Sequence, residues 1–100
     1  MSTETKVVES DSETLESAVE TWGKELQMDK AEEEAAELLA ASKHYRRGAI
    51  GEDALIDEVA DIQIMAEQLS IIFGRGRVEE RVNQKMDRLR ERIEAETANN

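Results

Sequence analysis

The sequence predicts an all-α fold. The chain of 100 residues contains no proline and only three aromatic residues, while Ala, Glu, Leu and Arg, which favour helices, recur throughout. Apolar residues recur at spacings of three and four, the period of a helix that buries one face. A chain of this length forms one small domain with a limited core, so we expect a homodimer or homotetramer that completes the bundle.

The predicted domain lies between two polar ends. Residues 1–12 are rich in Ser, Thr and Glu and contain little to bury, so they are predicted to form a disordered acidic tail. The helical domain is expected to span residues 13–96, and residues 97–100 are expected to be disordered.

Four helices are predicted along this domain, and the two long ones are central. The predicted segments cover about 13–23, 28–46, 52–73 and 77–96. Gly48 suits the left-handed cap that ends the second helix. The third predicted helix is apolar on nearly all sides, so it must be covered by its own chain and by a partner chain.

Two pairs of acidic residues stand on the two central helices. Glu34 with Glu37, and Glu58 with Asp61, are each three residues apart, which places both carboxylates on one side of a helix. Like charges at this spacing repel, and a divalent cation held between the helices would compensate. A solvated helix face is the alternative, because 24 of the 100 residues are acidic. Glu58 and Asp61 lie within an apolar stretch, however, where carboxylates are costly unless paired or metal-bound.

Composition argues against several classes of function. The net charge of -11 disfavours a general nucleic-acid binder, which needs a basic surface. The absence of cysteine excludes thiol chemistry and disulfides, and it fits a reducing cytosol. The N-terminus is polar, and no run approaches the roughly 18 apolar residues of a membrane span. We therefore expect a cytoplasmic protein with neither a membrane nor a nucleic-acid polymer as partner.

The acidic motifs also carry a resemblance to a known family. The segment EEAAE at residues 33–37 is followed, after twenty residues, by EVAD at residues 58–61. This arrangement resembles the EExxE…ExxD pattern of the MazG-like all-α nucleoside triphosphate pyrophosphohydrolases. The similarity covers about residues 21–92. It includes two flanking groups: Trp22 and Gln27 before the first motif, and Asn83, Lys85 and Arg88 after the second, where the family tends to carry a phosphate-binding segment.

This resemblance implies a MazG-like bundle with two long central helices that hydrolyses a nucleoside or deoxynucleoside triphosphate. The products would be the monophosphate and pyrophosphate, and the cofactor would be Mg²⁺, with Mn²⁺ as a substitute. The roles it implies are metal binding by Glu34, Glu37, Glu58 and Asp61, activation of the attacking water by Glu33, and substrate binding by Asn83, Lys85, Arg88, Trp22 and Gln27.

Two other functions fit parts of the sequence. A non-catalytic acidic helical module that binds another protein explains the charge and the periodicity, but it leaves Glu58 and Asp61 unexplained. A structural or storage metal-binding bundle explains the carboxylates, yet it gives Asn83, Lys85 and Arg88 no role. Spacing alone likewise favours Trp22 as a core anchor rather than a substrate contact.

Overall fold

The protein is all-helical in a computed structural model that describes the backbone of residues 3–98 and the side chains of residues 11–98. Within that range the chain forms three helices and no strand: α1 (Thr3–Arg46), α2 (Glu52–Phe73) and α3 (Arg75–Ala98). The predicted all-α class is confirmed. None of these helices combines the length and the apolar character that crossing a bilayer requires.

Helix α1 joins the first two predicted helices into one. Its non-helical residue is Gly23, with φ 78° and ψ 169°, so the break is a single kink and residues 24–27 are helical. Those residues are ordinary helix formers, which explains why the predicted gap is wrong. The helix begins at Thr3, inside the predicted tail, where no Gly or Pro stops it. The first two and last two residues of the predicted tails lie outside the described residues.

A tight turn reverses the chain between α1 and α2. Gly48 adopts φ 77°, the left-handed cap that the sequence predicts. The Gly48 N–H donates to the Tyr45 carbonyl at 2.9 Å, and the Ala49 N–H donates to the His44 carbonyl at 2.8 Å. These two bonds form a Schellman motif, which satisfies the last carbonyls of α1. The reversal makes α2 run antiparallel to the second part of α1, residues 24–46.

The interface between α1 and α2 contains few buried apolar side chains. Among residues 11–98, Met65 is the only buried apolar residue, whereas Gln27, Glu34 and Gln68 are buried polar residues. The radius of gyration is 17.2 Å, compared with about 13 Å for a compact domain of this length. A single chain therefore leaves apolar surface uncovered to an extent that is unusual for a monomer.

Helix α3 departs from α2 at Gly74. This glycine adopts φ 107°, and its N–H ends α2 by donating to the Ser70 carbonyl at 2.8 Å. In the described part of the chain, α3 packs against α2 near this elbow, and its body does not pack against α1. A hydrogen-bonded contact between α3 and α1 is made by its first side chain: the Arg75 guanidinium donates to Glu16 at 3.3 Å and to Ser12 at 3.4 Å. The start of α3 at Arg75 is two residues earlier than predicted.

Gly23→Ala should lower the free energy of unfolding by about 1–3 kcal/mol, because residues with a side chain seldom adopt this backbone conformation. No atom lies within 4 Å of the added Cβ, so backbone strain rather than a clash is the cause. Gly76→Ala is the control, since Gly76 lies within α3 with open space around it; it should be neutral or stabilise by up to about 1 kcal/mol. Urea denaturation followed by circular dichroism measures both variants, and equal effects would contradict the kink.

Candidate metal centre

Three carboxylates from two helices converge between α1 and α2. Glu34 and Glu37 stand one turn apart on α1, and Glu58 faces them from α2. One carboxylate oxygen from each residue lies within 4.8 Å of the other two. The antiparallel course of the two helices creates this arrangement, because the turn at Gly48 brings the middle of α1 opposite the first half of α2. The structure thus brings together three of the four predicted metal ligands.

The three carboxylates differ in their exposure. Glu34 is only 5% exposed, Glu58 is half-buried and Glu37 is exposed. The Oε2 atom of Glu58 is buried and has no hydrogen-bond partner among residues 11–98. A buried carboxylate oxygen without a partner costs stability unless a proton or a cation satisfies it. The site therefore has an inner, desolvated side and an outer side that is open to solvent.

Burial and mutual repulsion both raise carboxyl pKa values in this group. Burial is the largest cause for Glu34, where it raises the pKa, and the neighbouring Glu37 and Asp61 carboxylates raise it further. Lys30 acts in the opposite direction on the pKa of Glu34. Burial is again the first cause for Glu58, followed by the charges of Glu37 and Asp61, and its pKa is likewise raised. The group therefore resists carrying its full negative charge.

Asp61 and Glu33 stand outside the convergent group. Asp61 is exposed, but it lies close enough for its charge to raise the pKa of both Glu34 and Glu58. It is thus positioned at the edge of the group rather than within it. Glu33 occupies another face of α1 and forms an exposed ion pair with Lys30 at 3.2 Å. The predicted role of Glu33 in activating water remains a prediction.

A cavity of about 370 Å³ lies along the same interface, on the Gly23 side of the carboxylates. Its lining consists of Trp22, Leu26, Gln27, Lys30, Met65 and Gln68. Gln27 is 4% exposed, and its Oε1 atom is buried without a hydrogen-bond partner. Gln27 precedes Glu34 by seven positions along α1, so the cavity lies about 10 Å along the helix from the carboxylates. The structure places Trp22 and Gln27 together in this cavity, and Trp22 is 56% exposed rather than a core anchor.

The three predicted substrate residues on α3 lie apart from the carboxylates. Asn83, Lys85 and Arg88 are exposed along α3, which does not pack against α1 over residues 3–98. Lys85 instead lines a cavity of about 450 Å³ at the elbow, beside Phe73 and Arg77. A single chain therefore does not bring these side chains to the acidic group.

Two residues of this region were not predicted from the sequence to belong to the site. Gln68 lines the cavity opposite Gln27 and is only 8% exposed. Gln68 continues the helical spacing of Glu58, Asp61 and Met65 along α2. It is also a polar residue within the apolar stretch, so the pattern that singles out Glu58 and Asp61 singles out Gln68 as well. Lys30 lies on the turn of α1 before Glu34, and its spacing from Glu33 and Glu34 signals its electrostatic role.

A scan against protein-family models gives no match, and searches of the curated proteins and of the solved structures find no significant similarity. The resemblance of the two acidic motifs to the MazG-like family stays a hypothesis.

In the absence of divalent cations, the melting temperature should rise as the pH falls from about 7.5 towards 5. The pKa values of Glu34 and Glu58 are raised above the ordinary 4.5, so the folded state binds these protons more tightly than the unfolded state does. The resulting stabilisation is complete below about pH 4.5 and is lost as the pH rises through the raised values.

Thermal melts in EDTA across this range would measure the effect. Glu58→Gln should flatten the profile, because it removes one of the two shifted groups. Glu32→Gln makes the same change of charge at an exposed position outside the group and should keep the wild-type slope. Parallel profiles for all three proteins would show that only the net charge of the chain is being titrated.

Proposed function

We propose that this protein is a divalent-cation-dependent nucleoside triphosphate pyrophosphohydrolase. The observation that carries the proposal is the convergence of Glu34, Glu37 and Glu58, in which a buried Glu58 oxygen has no protein partner. The resemblance to the MazG-like family supports the same reaction. In this reaction water cleaves the anhydride between the α and β phosphates, and the products are a nucleoside monophosphate and pyrophosphate.

The residues present fit Mg²⁺ or Mn²⁺. Both are hard cations that bind carboxylate oxygens, and such a cation would satisfy the unpartnered Glu58 oxygen. Glu34, Glu37 and Glu58 would hold it, with Asp61 at the edge of the group. When bound, the cation neutralises phosphate charge and orients the reacting groups, which are the main requirements of phosphoryl transfer.

The remaining side chains supply binding and proton transfer. The cavity beside Trp22 and Gln27 offers an aromatic face and an amide to the nucleoside, and Lys85 and Arg88 would bind the phosphate oxygens. Glu33 is exposed to solvent, and it would take a proton from the attacking water. It forms an ion pair with Lys30, which lines this cavity.

We further propose a cytoplasmic homodimer or homotetramer as the working form. Support comes from the large apolar side chains that a single chain leaves exposed: Leu26, Leu39, Ile56, Val59, Ile64, Val82, Met86, Leu89 and Ile93. Burial of such residues between copies would supply the core that the monomer lacks.

A metal-binding bundle without catalytic activity is the second candidate. The distance of Lys85 and Arg88 from the carboxylates within one chain favours it, because such a bundle needs only the acidic group. The two candidates share the cation site and differ in nucleotide turnover.

Incubation with Mg²⁺ and a panel of nucleotides should release pyrophosphate from at least one triphosphate. Glu58→Gln should lower the rate by about 100-fold or more, because the cation contributes several kcal/mol to stabilising the transition state. Glu32→Gln is the matched control and should keep the wild-type rate. Absence of pyrophosphate above the Glu58→Gln background, across ribonucleotides, deoxynucleotides and modified bases, would eliminate the enzyme in favour of the metal-binding bundle.

Millimolar Mg²⁺ or Mn²⁺ should raise the melting temperature well beyond a NaCl control of equal ionic strength. A cation that binds only the folded state stabilises it by about 2.7 kcal/mol at a hundredfold excess over its dissociation constant, which corresponds to a shift on the order of 10 °C. Screening by salt gives a smaller rise that NaCl shares.

The double variant Glu34→Gln with Glu58→Gln separates the two effects. It should melt at a higher temperature than wild type in EDTA, because it lacks the repulsion, and it should gain little from the divalent cation. If wild type and the double variant respond equally to Mg²⁺ and to matched NaCl, the carboxylates are a solvated acidic face and no cation site exists.

A further inference from the structure

Lys30 lies on α1 between the Trp22 cavity and the carboxylates. Gln27, Lys30 and Glu34 follow one another at spacings of three and four residues, which places them along one face of the helix. Lys30 is thus about 4.5 Å along the axis from Gln27 and about 6 Å from Glu34. It lines the cavity together with Gln27. A ligand that extends from this cavity to the carboxylates therefore passes Lys30.

The charge of Lys30 also acts on the carboxylate group. Its Nζ atom lies 3.2 Å from Glu33 Oε1, in an exposed ion pair. The hydrogen bond and the charge of Glu33 raise the pKa of the Lys30 ammonium most, and the charges of Glu34 and Glu37 raise it further. Lys30 in turn opposes the rise in the pKa of Glu34. Lys30 is therefore close to both the cavity and the candidate cation site.

The surroundings of Lys30 distinguish it from an ordinary surface cation. Asp87 and Arg90 form a pair of the same spacing on α3, outside this cavity. Lys30 instead lines a cavity in which the buried Oε1 atom of Gln27 has no hydrogen-bond partner among residues 11–98. A lysine ammonium has three N–H donors, and within the same range Glu33 accepts one of them. Two donors therefore remain for other acceptors.

A phosphate group beside the carboxylates needs a nearby positive charge. The acidic side chains would otherwise repel it, because like charges raise its energy wherever solvent screening is incomplete. Lys85 and Arg88 stand apart from the carboxylates within one chain, whereas Lys30 lies on the same helix and one turn before Glu34. An ammonium binds phosphate oxygens as a compact point charge. Lys30 thus meets this need within a single chain.

We propose that the Lys30 ammonium binds the α phosphate of a nucleotide whose nucleoside occupies the Trp22 cavity. The α phosphate is the one joined to the nucleoside, so it lies nearest to Lys30. The β and γ phosphates then extend towards the cation held by Glu34, Glu37 and Glu58. This inference rests on the proposed function for the identity of the ligand. It adds to the site a phosphate-binding residue that lies outside both acidic motifs.

Binding of nucleosides and of their monophosphates tests this contact. The chain contains a single tryptophan, and Trp22 lines the cavity, so a change in its fluorescence reports a ligand bound there. Adenosine, guanosine, cytidine, uridine and thymidine are titrated in excess Mg²⁺, each as the nucleoside and as its monophosphate. Wild type should bind at least one monophosphate more tightly than the matching nucleoside. If it binds none more tightly, the inference is overturned.

Lys30→Gln should weaken binding of that monophosphate by about 10- to 100-fold, the loss expected for a hydrogen bond between charged groups. Its affinity for the nucleoside should not change. Lys30→Arg keeps the positive charge and should retain most of the affinity. Lys43→Gln is the matched control, because it removes the same charge from an exposed position in the last turn of α1. Wild-type affinity in Lys30→Gln, or an equal loss in Lys43→Gln, would overturn the contact.

Thermal melts separate a contact with phosphate from an effect on the cation site. Lys30→Gln should respond to Mg²⁺ at least as strongly as wild type, because it removes a positive charge that repels the cation. A weaker response would show that Lys30 supports the cation site, and it would overturn the phosphate contact. Circular dichroism confirms that each variant is folded. If Lys30→Gln loses the monophosphate as expected while wild type releases no pyrophosphate, the proposed hydrolysis fails and the role of Lys30 stands.

Discussion

The structure depends on the pairing of α1 with α2 across an interface that is rich in polar groups. The Schellman turn at Gly48 fixes the register of this pairing, and the register places Glu58 against Glu34 and Glu37. Such an interface lacks the usual source of stability, because Met65 is the only buried apolar side chain among residues 11–98. Like charges that are buried together oppose folding. The fold and the candidate centre therefore share one requirement, which is neutralisation of this group by protons or by a cation.

The helix breaks at Gly23 and Gly74 lie next to each other, and the contacts around them connect the interface between α1 and α2 to the start of α3. Lys24 follows the kink at Gly23, and its ammonium lies 5.2 Å from the centre of the Phe73 ring, the last residue of α2. Arg75, on the other side of the Gly74 elbow, contacts Glu16 on the first part of α1. These exposed contacts are individually weak. Together they join the elbow to the end of the interface that contains the Trp22 cavity.

Sequence periodicity predicts the existence of the helices, because spacing along one helix is a local property. It also indicates that an ionised carboxylate at Glu58 is costly, since the apolar neighbours of this residue predict that this part of α2 is buried. It does not predict that the break at Gly23 is a single residue, because a glycine weakens a helix without showing how far the interruption extends. Sequence periodicity does not predict the position of Lys85 and Arg88 relative to the carboxylates either. That position depends on the backbone angles of Gly74, which a glycine adopts with little local preference.

The distribution of acidic residues separates a binding site from a merely acidic surface. Glu33 and Asp87 pair with Lys30 and Arg90 at exposed positions, where an ion pair contributes little to stability and serves solubility more. Glu34 differs, because it is buried although its ionised form is costly there. Gln27, on the same helix two turns earlier, is a second buried polar group and has an unpartnered oxygen. A storage bundle requires the carboxylates but not the buried amide, and a protein-binding surface requires neither. The nucleotide of the proposed function, held through a cation at one end and by Gln27 at the other, would use both.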